Sequence, residues 1–151
     1  ACVGDLVALE AQAAGLDGLV VWGLHLDTPD IRAIGLPVFS LGATPTGPQR
    51  LDSRADGAFE SATVGEWTVG REDLVVGDDD GVLFLPAGRT EEIVSIAETI
   101  RDTERRQAER ILGGVSLRSQ VRFDAYLAER ERRPSLAFRE HLRTVGGAIE
   151  E

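Results

Sequence analysis

The chain has 151 residues, 42% of them hydrophobic and 28% charged, which is enough for one domain with a sizeable core. Its 26 acidic residues outweigh 16 basic ones and give a net charge of −10, which argues against direct nucleic-acid binding driven by phosphate neutralisation. A single cysteine, Cys2, excludes an intrachain disulfide and fits a reducing, cytoplasmic compartment, and no apolar run approaches the ~20 residues of a membrane helix.

Two absences narrow the chemistry. Every basic residue is arginine, so the chain has neither a Schiff-base lysine nor the lysine of a nucleotide-binding P-loop. Methionine is also absent. With its opening at Ala1-Cys2-Val3-Gly4-Asp5, directly before a helix, this leads us to expect a preceding segment and partner chains that complete the core.

Residues 5–15 predict a short helix, with Asp5 at its start, Gly15 at its end, and Leu6, Leu9 and Ala13 at helical spacing. Residues 19–22 are a short apolar run between glycines and predict a buried strand. Thr28-Pro29-Asp30 has the form of an N-cap followed by proline, predicting a helix over 29–34 that stops at Gly35. A strand is expected over 36–41. This close alternation is the α/β pattern. Residues 42–55 are rich in glycine and proline and predict a long loop.

From 58 to 86 the pattern changes to short β runs, at 58–64, 67–69, 73–76 and 82–85, with turns at Gly65-Glu66, Gly70-Arg71 and Asp80-Gly81. A small antiparallel meander is expected. Thr90 then caps a long helix whose stripe is Ile93, Ile96, Ala97 and Ile100, ending at Gly113-Gly114. A second helical segment is expected over 116–132. A third follows Pro134, capped by Ser135, with Phe138, His141, Leu142 and Val145 on one face. These helices read as an arm laid on a neighbouring subunit.

Asp27 and Asp5 are the first candidates for chemistry. Both stand at junctions of secondary elements, and sites in open α/β sheets gather at the carboxyl ends of strands. Mg²⁺ takes one or two carboxylates plus waters, and a helix start offers backbone N–H groups to an anion. Against this, either aspartate can simply cap a helix. His25 could be a ligand or a base, although a lone loop histidine is more often neither. His141 falls on an apolar stripe and reads as packed. Asp78-Asp79-Asp80-Gly81 reads as a solvated hairpin turn, since three adjacent carboxylates cannot all converge. Ser61, Ser95 and Cys2 have no nucleophile context.

The segments Gly4-Asp5, 19–47 (LVVWGLHLDTPDIRAIGLPVFSLGATPTG) and 74–86 (LVVGDDDGVLFLP) together resemble the family of the regulator of ribonuclease activity A and the 4-hydroxy-4-methyl-2-oxoglutarate aldolases. That resemblance implies an α/β fold, a swivelling β/β/α domain of the RraA-like type, over residues 1–104. It makes residues 105–151 a helical C-terminal extension suited to oligomer contact, and it implies that the N-terminal part of the family domain is missing. It further implies a homotrimer or hexamer and a class II pyruvate aldolase using Mg²⁺ or Mn²⁺. Such enzymes cleave 4-hydroxy-4-methyl-2-oxoglutarate or 4-carboxy-4-hydroxy-2-oxoadipate and decarboxylate oxaloacetate. Its substrate-binding backbone falls on Gly4, Asp5, Leu6 and Val7, with Asp5 holding metal-bound water, and its metal aspartate falls on Asp27. The family's substrate-binding arginine is replaced by Leu26, which predicts weakened catalysis unless Arg32 or Arg50 substitutes. The resemblance also allows a non-catalytic regulator that binds a ribonuclease, or a degenerate member that binds metal and a keto-acid without this reaction.

Overall fold

Between residues 14 and 48, glycine and proline interrupt every apolar run, so the first elements are short. The computed structural model describes residues 1–49, 53–54 and 56–148. The chain separates into two units, Ala1–Ala87 and Gly88–Glu151; the border expected at 104/105 lies inside a long helix of the second. Among the described residues the architecture is mixed α/β, with three two-stranded sheets and several helices.

In the first unit, helix α1 (Asp5–Ala13) packs on helix α2 (Thr28–Ile34), and the Gln12 side-chain amide donates to the Ile34 carbonyl at 3.0 Å. The contact face differs from the expected stripe. Ala8 and Ala11 are buried, while Leu6 and Leu9 stay 74% and 50% exposed. Two alanines let the helices approach closely, which leucines on that face would prevent. Helix α2 ends as expected at Gly35, whose φ of 80° is the left-handed conformation glycine adopts without a Cβ penalty.

Strands β1 (Leu19–Val21) and β2 (Val38–Ser40) flank α2 and pair in parallel, with Leu19 opposite Val38 and Val21 opposite Ser40. This is a βαβ unit, the usual way to connect parallel neighbours. Past Gly23 the pairing resumes as single bridges from His25 to Val3 and to Ala43. The carboxyl ends of both strands therefore converge on His25.

The region 58–86 departs from a continuous meander. It forms two separate antiparallel hairpins, β3 (Ser61–Val64) with β4 (Trp67–Gly70), and β5 (Leu74–Asp78) with β6 (Gly81–Leu85). The Asp73 carboxylate accepts from Gly70 N–H at 2.8 Å and from Ala87 N–H at 3.3 Å, so it ties off the end of β4 instead of letting a ladder to β5 continue. The Asp78–Gly81 turn is solvated as expected, with Asp80 N–H donating to Asp78 Oδ1 at 2.9 Å. Phe39 of β2 lies on Gly77, where an added Cβ would come within 2.5 Å of its ring.

The second unit is helical: α3 (Thr90–Leu112), α4 (Leu117–Gln120), α5 (Phe123–Arg132) and α6 (Phe138–Val145). Gly113 stops α3, and Ser116 Oγ caps α4 by accepting from Ser119 N–H at 3.2 Å. The single segment expected over 116–132 is broken at Arg122, whose φ of 50° turns the chain between α4 and α5. Ala137, not Ser135, occupies the cap position of α6. His141 is packed, as its place on the stripe indicates: Nε2 meets the Val121 carbonyl at 2.7 Å, and its ring neighbours Tyr126 and Phe138.

Candidate functional site

The start of α1 and the loop after β1 bring the sequence candidates together. The Asp27 carboxylate lies against the first turn of α1, with Oδ2 3.5 Å from Asp5 N. Its charge there meets the positive end of the helix. Asp5 folds back on its own helix, and its Oδ1 accepts from Leu6 N–H at 2.7 Å. Gly4 is the reason these groups can meet. A Cβ on Gly4 would come within 2.6 Å of both Asp27 Oδ2 and Leu26 Cδ1. Leu26 is half-buried over this glycine, and the Leu6 and Val7 side chains point outward, 74% and 47% exposed.

Asp27 stands at the cap position of α2 yet makes no side-chain cap bond there. Its backbone is left-handed, φ 60° and ψ 39°, a region that aspartate tolerates better than most side chains. Beside it, the His25 ring bridges two hydroxyls, with Nδ1 2.7 Å from Ser40 Oγ and Nε2 2.8 Å from Thr28 Oγ1. The sequence offered no sign of this bridge, because Ser40 lies 15 residues away on another strand.

Asp5 and Asp27 remain a pair; among the described residues no cluster of three or more metal-type side chains is found. The pair supplies only hard oxygen donors, which suits Mg²⁺ or Mn²⁺ completed by water and substrate and does not suit zinc or copper. Arg32 is an exposed residue of α2, and Arg50 lies outside the described residues.

A cavity of about 1070 Å³ lies elsewhere in this unit. It is an open cleft walled by Val20, Trp22, Phe39, Trp67 and Phe84, and it includes His25 but not Gly4, Asp5, Leu26 or Asp27. Residues of all three sheets line it, and Trp22 and Trp67 stay 58% and 69% exposed. Among the described residues no helix is long and apolar enough to cross a membrane.

The RraA-like family, described as Aldolase/RraA, matches residues 1–84. An uncharacterized protein of Methanocaldococcus jannaschii is 32% identical over 122 residues, covering 80% of this chain and 57% of its own length. A protein of Halalkalibacterium halodurans, provisionally named a 4-hydroxy-4-methyl-2-oxoglutarate aldolase, is 30% identical over 65% of this chain and 46% of its own length. A crystal structure of an uncharacterized protein from Pseudomonas syringae pv. tomato superposes with a TM-score of 0.67 at 27% identity, covering 77% of this chain and 58% of that one. The chain thus spans about half the length of the curated relatives it matches. With more than half of its residues matching the family, and its α/β unit coinciding with the matched region, the chain belongs to the RraA-like family.

Proposed function

We propose that this chain carries the metal-binding part of a divalent-metal-dependent lyase site for small 2-oxo acids. The substrates proposed are 4-hydroxy-4-methyl-2-oxoglutarate, 4-carboxy-4-hydroxy-2-oxoadipate or oxaloacetate. The observation that carries this reading is the placement of the Asp27 carboxylate at the amino end of α1, opposite Asp5. Mg²⁺ or Mn²⁺ held by Asp27, with Asp5 bonding its water, would supply Lewis-acid polarisation of the substrate carbonyl. The chain's own contribution is positional. Gly4 leaves room for Asp27 and Leu26 to close on the helix start, whose N–H groups and dipole favour an anion. Leu26 brings no donor to the place where charge develops, and a missing donor of that kind costs ~3 kcal/mol of transition-state stabilisation. Slow turnover is therefore expected. The provisional aldolase name of the relative supports the reaction class.

We also propose that the site works only with partner chains, as a homotrimer or hexamer. The chain exposes 11517 Å². A compact monomer of 16.3 kDa exposes about 7,500 Å², and even two wholly separate units of these lengths expose about 9,000 Å². An excess of about 2,500 Å² is area that partner subunits, or further strands of a longer chain, would cover.

The test is pyruvate release from 4-hydroxy-4-methyl-2-oxoglutarate with and without Mg²⁺, on the parent, Leu26→Arg and Asp27→Asn. We expect slow metal-dependent release by the parent, a gain of about 100-fold for Leu26→Arg, and none for Asp27→Asn. Absence of metal-dependent release in both the parent and Leu26→Arg would discard the lyase reading.

A further inference from the structure

We infer that His25 is a positioning residue that holds Asp27 in its left-handed conformation by clasping the two ends of the loop that carries it. The inference rests on the proposed role of Asp27 only for its functional consequence; the geometry stands by itself.

Asp27 occupies a position where aspartate ordinarily turns its carboxylate onto the helix that follows. Here the carboxylate faces α1 instead, and φ is 60°. A non-glycine residue in this region is strained by roughly 1 kcal/mol, so neighbouring bonds must fix it. The residues on either side supply them. His25 is locked in the backbone, donating from its N–H to the Gly42 carbonyl at 2.9 Å and accepting from Thr44 N–H at 2.8 Å. Leu26 N–H donates to the Val3 carbonyl at 3.0 Å. At the other end, Thr28 begins α2, and its hydroxyl is tied to His25 Nε2. The ring and hydroxyl close a loop of four residues, His25-Leu26-Asp27-Thr28. Nδ1 anchors that loop to Ser40 at the end of β2.

Histidine suits the task because its two nitrogens point to opposite sides of one flat ring. A neutral imidazole has one donor and one acceptor, and a hydroxyl can play either part, so both bonds can be made in either tautomer. Ser40 Oγ is itself held by the Gly42 backbone, 3.3 Å from both its N–H and its carbonyl.

The experiment uses Thr28→Val and Ser40→Ala, which keep the ring and remove one hydroxyl each, together with His25→Leu. Two readouts are taken on the full chain. One is the backbone conformation of residue 27 by NMR, from its Cα shift and intraresidue Hα–HN cross-peak. The other is Mn²⁺ affinity from water-proton relaxation. We expect the parent to show the left-handed signature, each hydroxyl variant to lose part of it, and Mn²⁺ binding to weaken about threefold to tenfold per bond lost. His25→Leu combined with Thr28→Val should be no worse than His25→Leu alone. Retention of the left-handed signature in Thr28→Val and His25→Leu overturns the clasp. If the parent and Asp27→Asn both fail to bind Mn²⁺ while the signature is still lost in the variants, the clasp stands and the metal reading falls.

Discussion

The two units of this chain are held together in opposite ways. Of the 26 acidic and 16 basic residues, residues 1–87 hold 14 and four, whereas residues 88–151 hold 12 of each. The whole net charge therefore belongs to the unit that carries the candidate site. Among the described residues, that unit buries only Ala8, Ala11, Ile31 and Leu36, and its strands form three separate pairs. Two-stranded sheets are marginal by themselves. The helical unit instead has a cluster of four rings, Phe123, Tyr126, Phe138 and His141, and local ion pairs such as Arg118–Asp124 and Arg133–Glu140. The contrast teaches that one unit is held by a cluster of rings, while the other leaves large apolar side chains such as Trp22, Trp67 and Leu83 exposed.

The sharpest way to break this contrast is to remove the ring at the centre of the helical cluster. Tyr126 is 6% exposed, touches the other three rings and donates to the Leu136 carbonyl at 3.4 Å. Tyr126→Ala should cost about 3–5 kcal/mol and leave that carbonyl without its partner. The measurement is helical circular dichroism during thermal unfolding, with tryptophan fluorescence followed in parallel, since Trp22 and Trp67 both belong to residues 1–87. A large drop in the helical midpoint with a smaller tryptophan shift supports the contrast. Equal shifts would make the two units one cooperative structure.

A smaller effect probes the α/β unit. Gly77→Ala places a methyl within 2.5 Å of the Phe39 ring, and Gly4→Ala places one within 2.6 Å of Leu26 and Asp27. Neither glycine has a positive φ, so the cost is steric, about 1–3 kcal/mol if the neighbours yield. Gly77→Ala should shift the tryptophan transition. Gly4→Ala should also weaken Mn²⁺ binding by moving Asp27, which Gly77→Ala should not do. Equal loss of Mn²⁺ affinity in both would trace it to general destabilisation and remove Gly4 from the site.

How much of this was legible follows from the range of each interaction. The bounds of α1, β1 and α2, the stop at Gly113 and the solvated Asp78–Gly81 turn follow from local rules, and those rules placed them within a few residues. The approach of Asp27 to Asp5 was expected from the family resemblance; spacing alone left helix capping open. What local rules could not show was set by distant partners. Leu6 and Leu9 repeat at helical spacing, yet α2 selects the alanine face. Asp73 ties off a strand that a meander would continue. Arg122 breaks a helix with no proline or glycine to mark the place. The His25 bridge needs Ser40 from a strand beyond an intervening helix, and no pattern in the chain signals it.

The smallest effect tests whether the ion pairs of the helical unit matter at all. Arg89 and Glu92 meet at the start of α3, with guanidinium Nε 3.0 Å and a second nitrogen 3.1 Å from the two carboxylate oxygens. The hydrogen bond from Arg89, and then its charge, hold the Glu92 carboxyl below the usual glutamate range and raise Arg89 above its own. The two shifts agree in direction, as one shared contact requires. A depressed folded pKa means that the contribution is fully present above the unfolded glutamate value, near pH 4.3, and is lost as pH falls through the lowered one. Both groups are fully solvent-exposed, so salt screens the pair and the effect is slight. Glu92→Gln should leave the helical midpoint at pH 7 nearly unchanged in 0.5 M salt and lower it slightly at low salt, with the difference fading as pH falls through the lowered Glu92 value. A large midpoint loss that persists in high salt would mean that Glu92 acts through neither the Arg89 pair nor the positive end of the α3 dipole, since salt screens both.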